Sequence, residues 1–173
     1  MAVSAATRAA VRAAFGSRCA YCGVAESFVG VELEMDHFHP VAAGGSDEIE
    51  NLVYACTACN RFKGDYAPAR DAPESLRLLR PQQDDSAMHI AETSHGRLVG
   101  LTPRGWFHIQ RLRLNRAQLI EMRHLHRVIQ SQKDELLQTR DAENRLRQEN
   151  GELKDEISRL RTAMLDLLLR GER

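Results

Sequence analysis

Apolar and polar positions trade places with two different periods along this 173-residue chain. Near the start, Val3, Ala6, Ala10 and Ala14, with Val11 and Phe15, recur at helical spacing and predict a short leading helix. Residues 31 to 37 (VELEMDH) set Val31, Leu33 and Met35 against Glu32, Glu34 and Asp36, the period-two pattern of a half-buried strand. Pro40 and the Gly44-Gly45 pair then force a loop. Asn51 to Ala55 is a second short strand, and a helix is predicted from Thr57 or Ala58 to Gly64, its C-terminal signal. That helix carries Asn60 and Lys63 one turn apart on one face.

Pro68, Pro73, Pro81 and the polar run Gln82 to Asp85 mark a connecting segment, with one or two helical turns at SLRLLR. Residues 88 to 93 and 97 to 101 flank Ser94-His95-Gly96, and residues 106 to 114 (WFHIQRLRL) alternate again. A small sheet of two or three strands is predicted. From Asn115, read as an N-cap, one long helix runs toward Arg170. Its heptad seam places Met122, Ile129, Leu136, Glu143, Asn150, Ile157 and Met164 at a, and Leu125, Gln132, Thr139, Leu146, Leu153, Leu160 and Leu167 at d. Opposite charges meet at Glu135/Arg140, Glu149/Lys154 and Glu156/Arg161 across a parallel two-stranded interface, and Asn150 favours two strands. A homodimer is therefore expected; a lone helix folded back on the preceding domain is the competing arrangement. Gln132, Thr139 and Glu143 weaken the middle of the seam.

Charge changes the picture by exclusion. With 24 basic and 24 acidic residues the net charge is zero, so a uniformly basic nucleic-acid binder is excluded and only a local basic surface could serve. Hydrophobic residues at 43% and charged residues at 28%, with no long apolar run, describe a soluble globular chain that does not cross a membrane. Arg8, Arg12 and Arg18 precede the first acid, Glu26, as in an organellar transit peptide. The helical spacing favours a leading helix instead, and a cytoplasmic location is expected.

The four cysteines form two Cys-x-x-Cys pairs, Cys19/Cys22 and Cys56/Cys59. Each pair lets one tight turn present two sulfurs roughly 3.7 Å apart to a tetrahedral ion, and none is left over, so structural zinc is the expected ligand. A redox pair or ordinary buried thiols are the alternatives. His89, His95 and His108 lie on separate elements without ligand spacing and are expected to be ordinary surface histidines.

CAYCG, MDHFHPVAAGGSDEIENL and CTACNRFKGD together closely resemble the HNH endonucleases, over about residues 8 to 66. The resemblance implies a ββα-metal fold in which Asp36 is a metal ligand and His37 the general base. It implies that Asn51 holds the imidazole, that Asn60 is the second metal ligand, and that the cysteines bind a supporting zinc. The chemistry suits those roles. A histidine can take a proton from water near neutral pH, and a hard divalent cation on Asp36 and Asn60 can polarise a phosphate. An amide on one imidazole nitrogen leaves the other basic. His39 is assigned no role. Arg104, Arg111, Arg113, Arg116, Arg123 and Arg127, against only Glu121, form a basic stripe; Lys63, Arg104, Arg111, Arg113 and Arg116 are the expected phosphate contacts, a merely solvated helix face and strand edge being the alternative for the stripe. Trp106 is expected to pack the sheet rather than stack on a base.

The expected architecture is α+β: a small zinc-clamped ββα-metal nuclease domain (1–70), a linker and short β extension (71–114), and a long C-terminal coiled-coil helix (115–170). The expected function is cleavage of DNA phosphodiester bonds with Mg2+ or another divalent cation, RNA being compatible too. The alternative is a zinc-dependent DNA-binding or regulatory dimer without cleavage, which gives no reason for Asp36, His37, Asn51 and Asn60 to occur together.

Overall fold

A computed structural model describes residues 3–171, with side chains through residue 165. It divides after Leu125 into two units, the second of which is the greater part of one helix. The last d position, Leu167, and the start and end of the chain lie outside the described side chains.

In the first unit, α1 (Ala5–Ala14) opens under a Ser4 cap, whose hydroxyl accepts from the Thr7 amide at 3.1 Å. It buries Val11 and reaches the short α2 (Glu26–Val29) through a bidentate Arg12–Glu26 pair at 2.8 and 3.0 Å. Between them the turn carrying Cys19 and Cys22 is tied to the sheet by the Ala20 amide, which donates to the Tyr54 carbonyl at 2.8 Å.

Strands β1 (Glu34–His37) and β2 (Leu52–Ala55) pair antiparallel, with Glu34 opposite Ala55 and His37 opposite Leu52. Every residue of β2 is buried, which explains its unbroken apolar run; only Asp36 is fully buried in β1. The connection is compact because Gly45 packs against the carbonyl of His39, a space that any Cβ would fill. Helix α3 (Thr57–Lys63) follows at once and ends at Gly64, which has positive φ. The leading helix, the second strand and this helix stand where the hydrophobic pattern puts them, while β1 begins at Glu34, three residues after the start of the 31–37 alternation.

A two-stranded hairpin, β3 (Ile90–Glu92) with β4 (Leu98–Gly100), comes next. The third strand expected over 106–114 is instead largely α4 (Pro103–Arg111). Its alternation is overridden by a stronger local signal: Thr102 caps the Gly105 amide at 3.0 Å, and Pro103 supplies the first helical φ. Gly105, His108, Ile109 and Leu112 then share the buried face. Trp106, on the opposite side, is exposed rather than packed. Asn115 likewise proves not to be a helix cap. Its side chain clamps Leu98, accepting from the amide and donating to the carbonyl at 2.8 Å each, and α5 (Ala117–Gly171) starts two residues later.

Core residues of this unit run from Val11 through the β2 strand to Ile109, Leu112, Leu114 and Leu119. In the second unit, the a and d residues Ile129, Leu136, Leu146, Leu153, Ile157, Leu160 and Met164 are all exposed. No helix among the described residues is long and apolar enough to cross a membrane.

Candidate metal centre and catalytic site

Two turns build the metal centre. The first presents Cys19 and Cys22; the second is the entry to α3, where Cys56 is the N-cap residue and Cys59 lies one turn in. All four thiols are buried and their sulfurs lie within 4.8 Å of one another, Cys22 and Cys56 at 3.8 Å. No disulfide joins them. Four thiols converging in a closed site have the donor set and spacing of a structural metal such as zinc. The Arg116 guanidinium, 3.8 Å from the Cys59 sulfur, adds a cation suited to a thiolate.

The candidate catalytic residues lie on the outer side of the same hairpin and helix. A concavity of about 220 Å3 is lined by Asp36 and His37 of β1, Pro40 and Val41 of the loop, and Asn60, Lys63 and Asp65 of α3 and its exit. Asp36 is 5% exposed and holds two partners: Lys63 Nζ on Oδ1 at 2.8 Å and the Tyr21 hydroxyl on Oδ2 at 2.6 Å. Burial raises its carboxyl above the ordinary range, and the Lys63 ammonium and Tyr21 hydroxyl, both bonded to the charged form, oppose that rise. His37 turns Nε2 to the Asp47 carboxylate at 2.7 Å, so a neutral ring keeps its proton there and leaves Nδ1 basic. Asn60 donates from Nδ2 to Glu34 at 2.7 Å, and Thr57 holds the other Glu34 oxygen at 2.6 Å. This fixes the amide with Oδ1 turned away from Glu34, and Oδ1 has no hydrogen-bond partner among the described residues.

Several expected roles need correction. Asn51 does not touch the imidazole. Its side chain accepts from the His39 amide at 2.8 Å and donates to the carbonyls of His39 and Ser46 at 3.0 and 2.8 Å, so it staples the loop that carries Asp47. Lys63 is 1% exposed, and its ammonium is spent on Asp36 and the carbonyls of His37 and Gly64, so it has no donor for DNA. The basic stripe is thinned in the same way. Arg104 binds Asp84, Glu74 and two carbonyls. Arg111 donates to the Lys63 carbonyl and lies 4.9 Å over Tyr66. Arg116 turns to Cys59 and two carbonyls, and Arg123 is buried with hydrogen bonds to the carbonyls of Gly96 and Leu114. Arg113 is exposed and rests on Phe62, its guanidinium without a hydrogen bond among the described residues. His108 is no surface histidine either: it is buried, accepts from the Leu79 amide at Nδ1, and is held down to about 4, chiefly by burial.

Tyr21, Glu34 and Asp47 are the residues whose place in the site sequence reasoning did not foresee, and Lys63 is one whose role it misassigned. Period-two spacing puts Glu34 on the face of Asp36, which is a usable signal; nothing local points to Asp47.

With that geometry in place, residues 19–66 match the family model described as HNH endonuclease. The match spans the cysteine pairs, β1, β2 and α3 and excludes the second hairpin, α4 and α5. No curated protein and no solved structure gives a significant match. The family whose model matches this segment suggests nuclease-type activity on nucleic acid.

Proposed function

We propose that the protein is an endonuclease that hydrolyses phosphodiester bonds of DNA with a divalent cation. The observation that carries this is the convergence of Asp36, His37 and Asn60 on one concavity inside the segment that matches the HNH model. The donor set fits a hard cation. A carboxylate offers about four lone-pair positions, of which Asp36 spends two, and the Asn60 Oδ1 is unspent. When bound there, magnesium or a similar ion supplies positive charge to the phosphate and to the departing oxygen.

The chain's own residues then have separate tasks. His37 takes the proton of the attacking water at Nδ1, while Asp47 keeps Nε2 protonated and stabilises the imidazolium that results. Tyr21 and Lys63 hold the Asp36 carboxylate in one orientation, and Glu34 does the same for the Asn60 amide. Asn51 sets the loop that brings Asp47 to the imidazole. In the metal centre, four thiolates would hold zinc. The exposed a and d residues of α5 close against a second copy in a parallel coiled coil, making a homodimer.

A second reading has one observation in its favour. The Lys63 ammonium already neutralises Asp36, as a protein that binds DNA without cutting it could retain. Incubating purified protein and His37→Ala with supercoiled plasmid and a panel of divalent metals separates the two. The nuclease reading expects metal-dependent nicking or linearisation by wild type and a loss of about a hundredfold or more in the folded variant. Equal cleavage by folded His37→Ala rejects the assignment of the base. No cleavage by wild type with any metal leaves the binding reading standing.

A further inference from the structure

Beside the catalytic concavity lies a larger one, about 810 Å3, within the size range of small-molecule sites. The two are neighbours along the chain. Phe38 and His39 follow directly on His37, and Tyr66 follows Asp65, which lines the smaller site. Four arginines line the larger concavity, Arg70, Arg77, Arg80 and Arg104, against one carboxylate, Asp84, which already pairs with Arg104. Exposed Glu74, near Arg77 and Arg104, offsets part of this charge.

The arginines are not equally spent. Arg104 is, as described above. Arg70 is exposed, and its guanidinium has no partner among the described residues. Arg77 uses one nitrogen on the carbonyls of Arg70 and Ala72, which fixes it beside Arg70. Arg80 lies 5.2 Å over the Phe38 ring and gives one bond to the Glu50 carbonyl, while its Nε is buried with no partner. A buried cationic donor left in this state is a cost that an anion or water can relieve.

We propose that this concavity takes one unpaired nucleotide of the cleaved strand, next to the scissile phosphate. Its phosphate meets Arg70 and Arg77, and its base stacks where Phe38, Arg80 and Tyr66 give flat apolar and guanidinium surfaces. Intact duplex offers only its backbone to such a surface, because paired bases stay stacked; a concavity with aromatic walls suits a base that has left the stack. The substrate class is therefore DNA with an unpaired nucleotide at the cut, such as a bulge or flap. The inference rests on the nuclease reading for the position of the scissile phosphate.

Binding by the full-length, zinc-loaded His37→Ala protein tests it without turnover. Three fluorescent or competing probes are compared: a fully paired duplex, the same duplex with a single-nucleotide bulge, and free deoxynucleoside monophosphate. The bulged duplex should bind about tenfold tighter than the paired one, the scale of one stacked base. Arg70→Ala, which removes an exposed side chain without internal bonds, should abolish most of that preference while leaving zinc content unchanged. Equal affinity for bulged and paired duplex overturns the proposal, and so does a preference that survives Arg70→Ala. Competition by the free monophosphate as strong as that of the bulged duplex also overturns it, since the site would then be a small-anion site. Cleavage by wild type is scored separately. Metal-dependent cutting with no bulge preference removes this proposal alone, whereas bulge-selective binding with no cutting removes the nuclease reading and, with it, the placement of the nucleotide at a scissile phosphate, leaving only a site for an unpaired nucleotide.

Discussion

Replacing Lys63 with methionine asks whether this lysine serves DNA or the interior. Methionine fills nearly the same apolar volume, so the change removes charge and hydrogen bonds more than packing. In the native structure the ammonium is 1% exposed and donates to Asp36 at 2.8 Å and to the His37 carbonyl at 2.7 Å. Its removal leaves a buried carboxylate without its cation, a loss of about 3–5 kcal/mol when one partner of a buried pair is deleted. Protonating Asp36 caps that cost. Burial already raises the Asp36 carboxyl in the native protein, and without Lys63 to oppose it the folded value rises further above the unfolded one. A carboxyl with a raised folded pKa contributes stability that is lost as pH increases through that pKa. The deficit of Lys63→Met should therefore shrink as pH falls through the raised Asp36 pKa toward the ordinary carboxylate range, by up to about 1.4 kcal/mol per pH unit.

Denaturant unfolding of the zinc-loaded protein at several pH values reads this directly. The double variant Asp36→Asn with Lys63→Met should recover part of the loss, because no charge is left stranded. A Lys63→Met protein as stable as wild type at pH 7 and weaker only in DNA affinity would refute the reasoning and return Lys63 to the DNA surface.

Freshly purified, reduced protein should carry about one zinc per chain, and chelation should unfold the 19–66 segment; folded protein with no zinc by metal analysis contradicts the centre. The full chain should sediment as a dimer at micromolar concentration and become monomeric with Leu153→Glu and Leu160→Glu, whose parents are both exposed on α5; a monomeric wild type rejects the seam. His108 should stay neutral by NMR titration down to about pH 4. Because its folded pKa lies below the ordinary value of 6.5, its contribution is complete above 6.5 and is lost as pH falls toward 4; a His108 signal titrating near 6.5 in the folded protein contradicts this.

Much of the 19–66 segment was legible because its signals are local. Two Cys-x-x-Cys turns state their own geometry, the 31–37 alternation places Asp36 on a strand, and Gly64 ends α3. Partners across the fold left no such mark. Asp47 reaches His37 from a loop whose course is set by Asn51, so the imidazole's orienting group depends on a turn that no periodicity describes. Lys63 stands close to Arg61 and reads as surface basicity until the helix is docked on β1, which buries it against Asp36. Residues 106–114 failed for another reason: alternation of apolar and polar residues is shared by a strand and by this short helix, and the Thr102-Pro103 start decides between them.

The position of Tyr21 joins the metal centre to the candidate catalytic site. It sits between Cys19 and Cys22, inside the turn that a bound ion would close, and its hydroxyl reaches Asp36 at 2.6 Å. Cys56 and Cys59 close the other side from the helix that carries Asn60 and Lys63. One ion held by four thiols would thus fix both ends of the carboxylate's environment, Tyr21 from the first turn and Lys63 from the second helix. That is a reason for a domain this small to place a metal clamp beside its candidate catalytic residues. A short β hairpin and a seven-residue helix have too little core to hold three side chains in register alone. Disorder introduced at the thiols is then expected at Asp36 before it reaches His37, whose restraint comes from Asp47 on the loop instead.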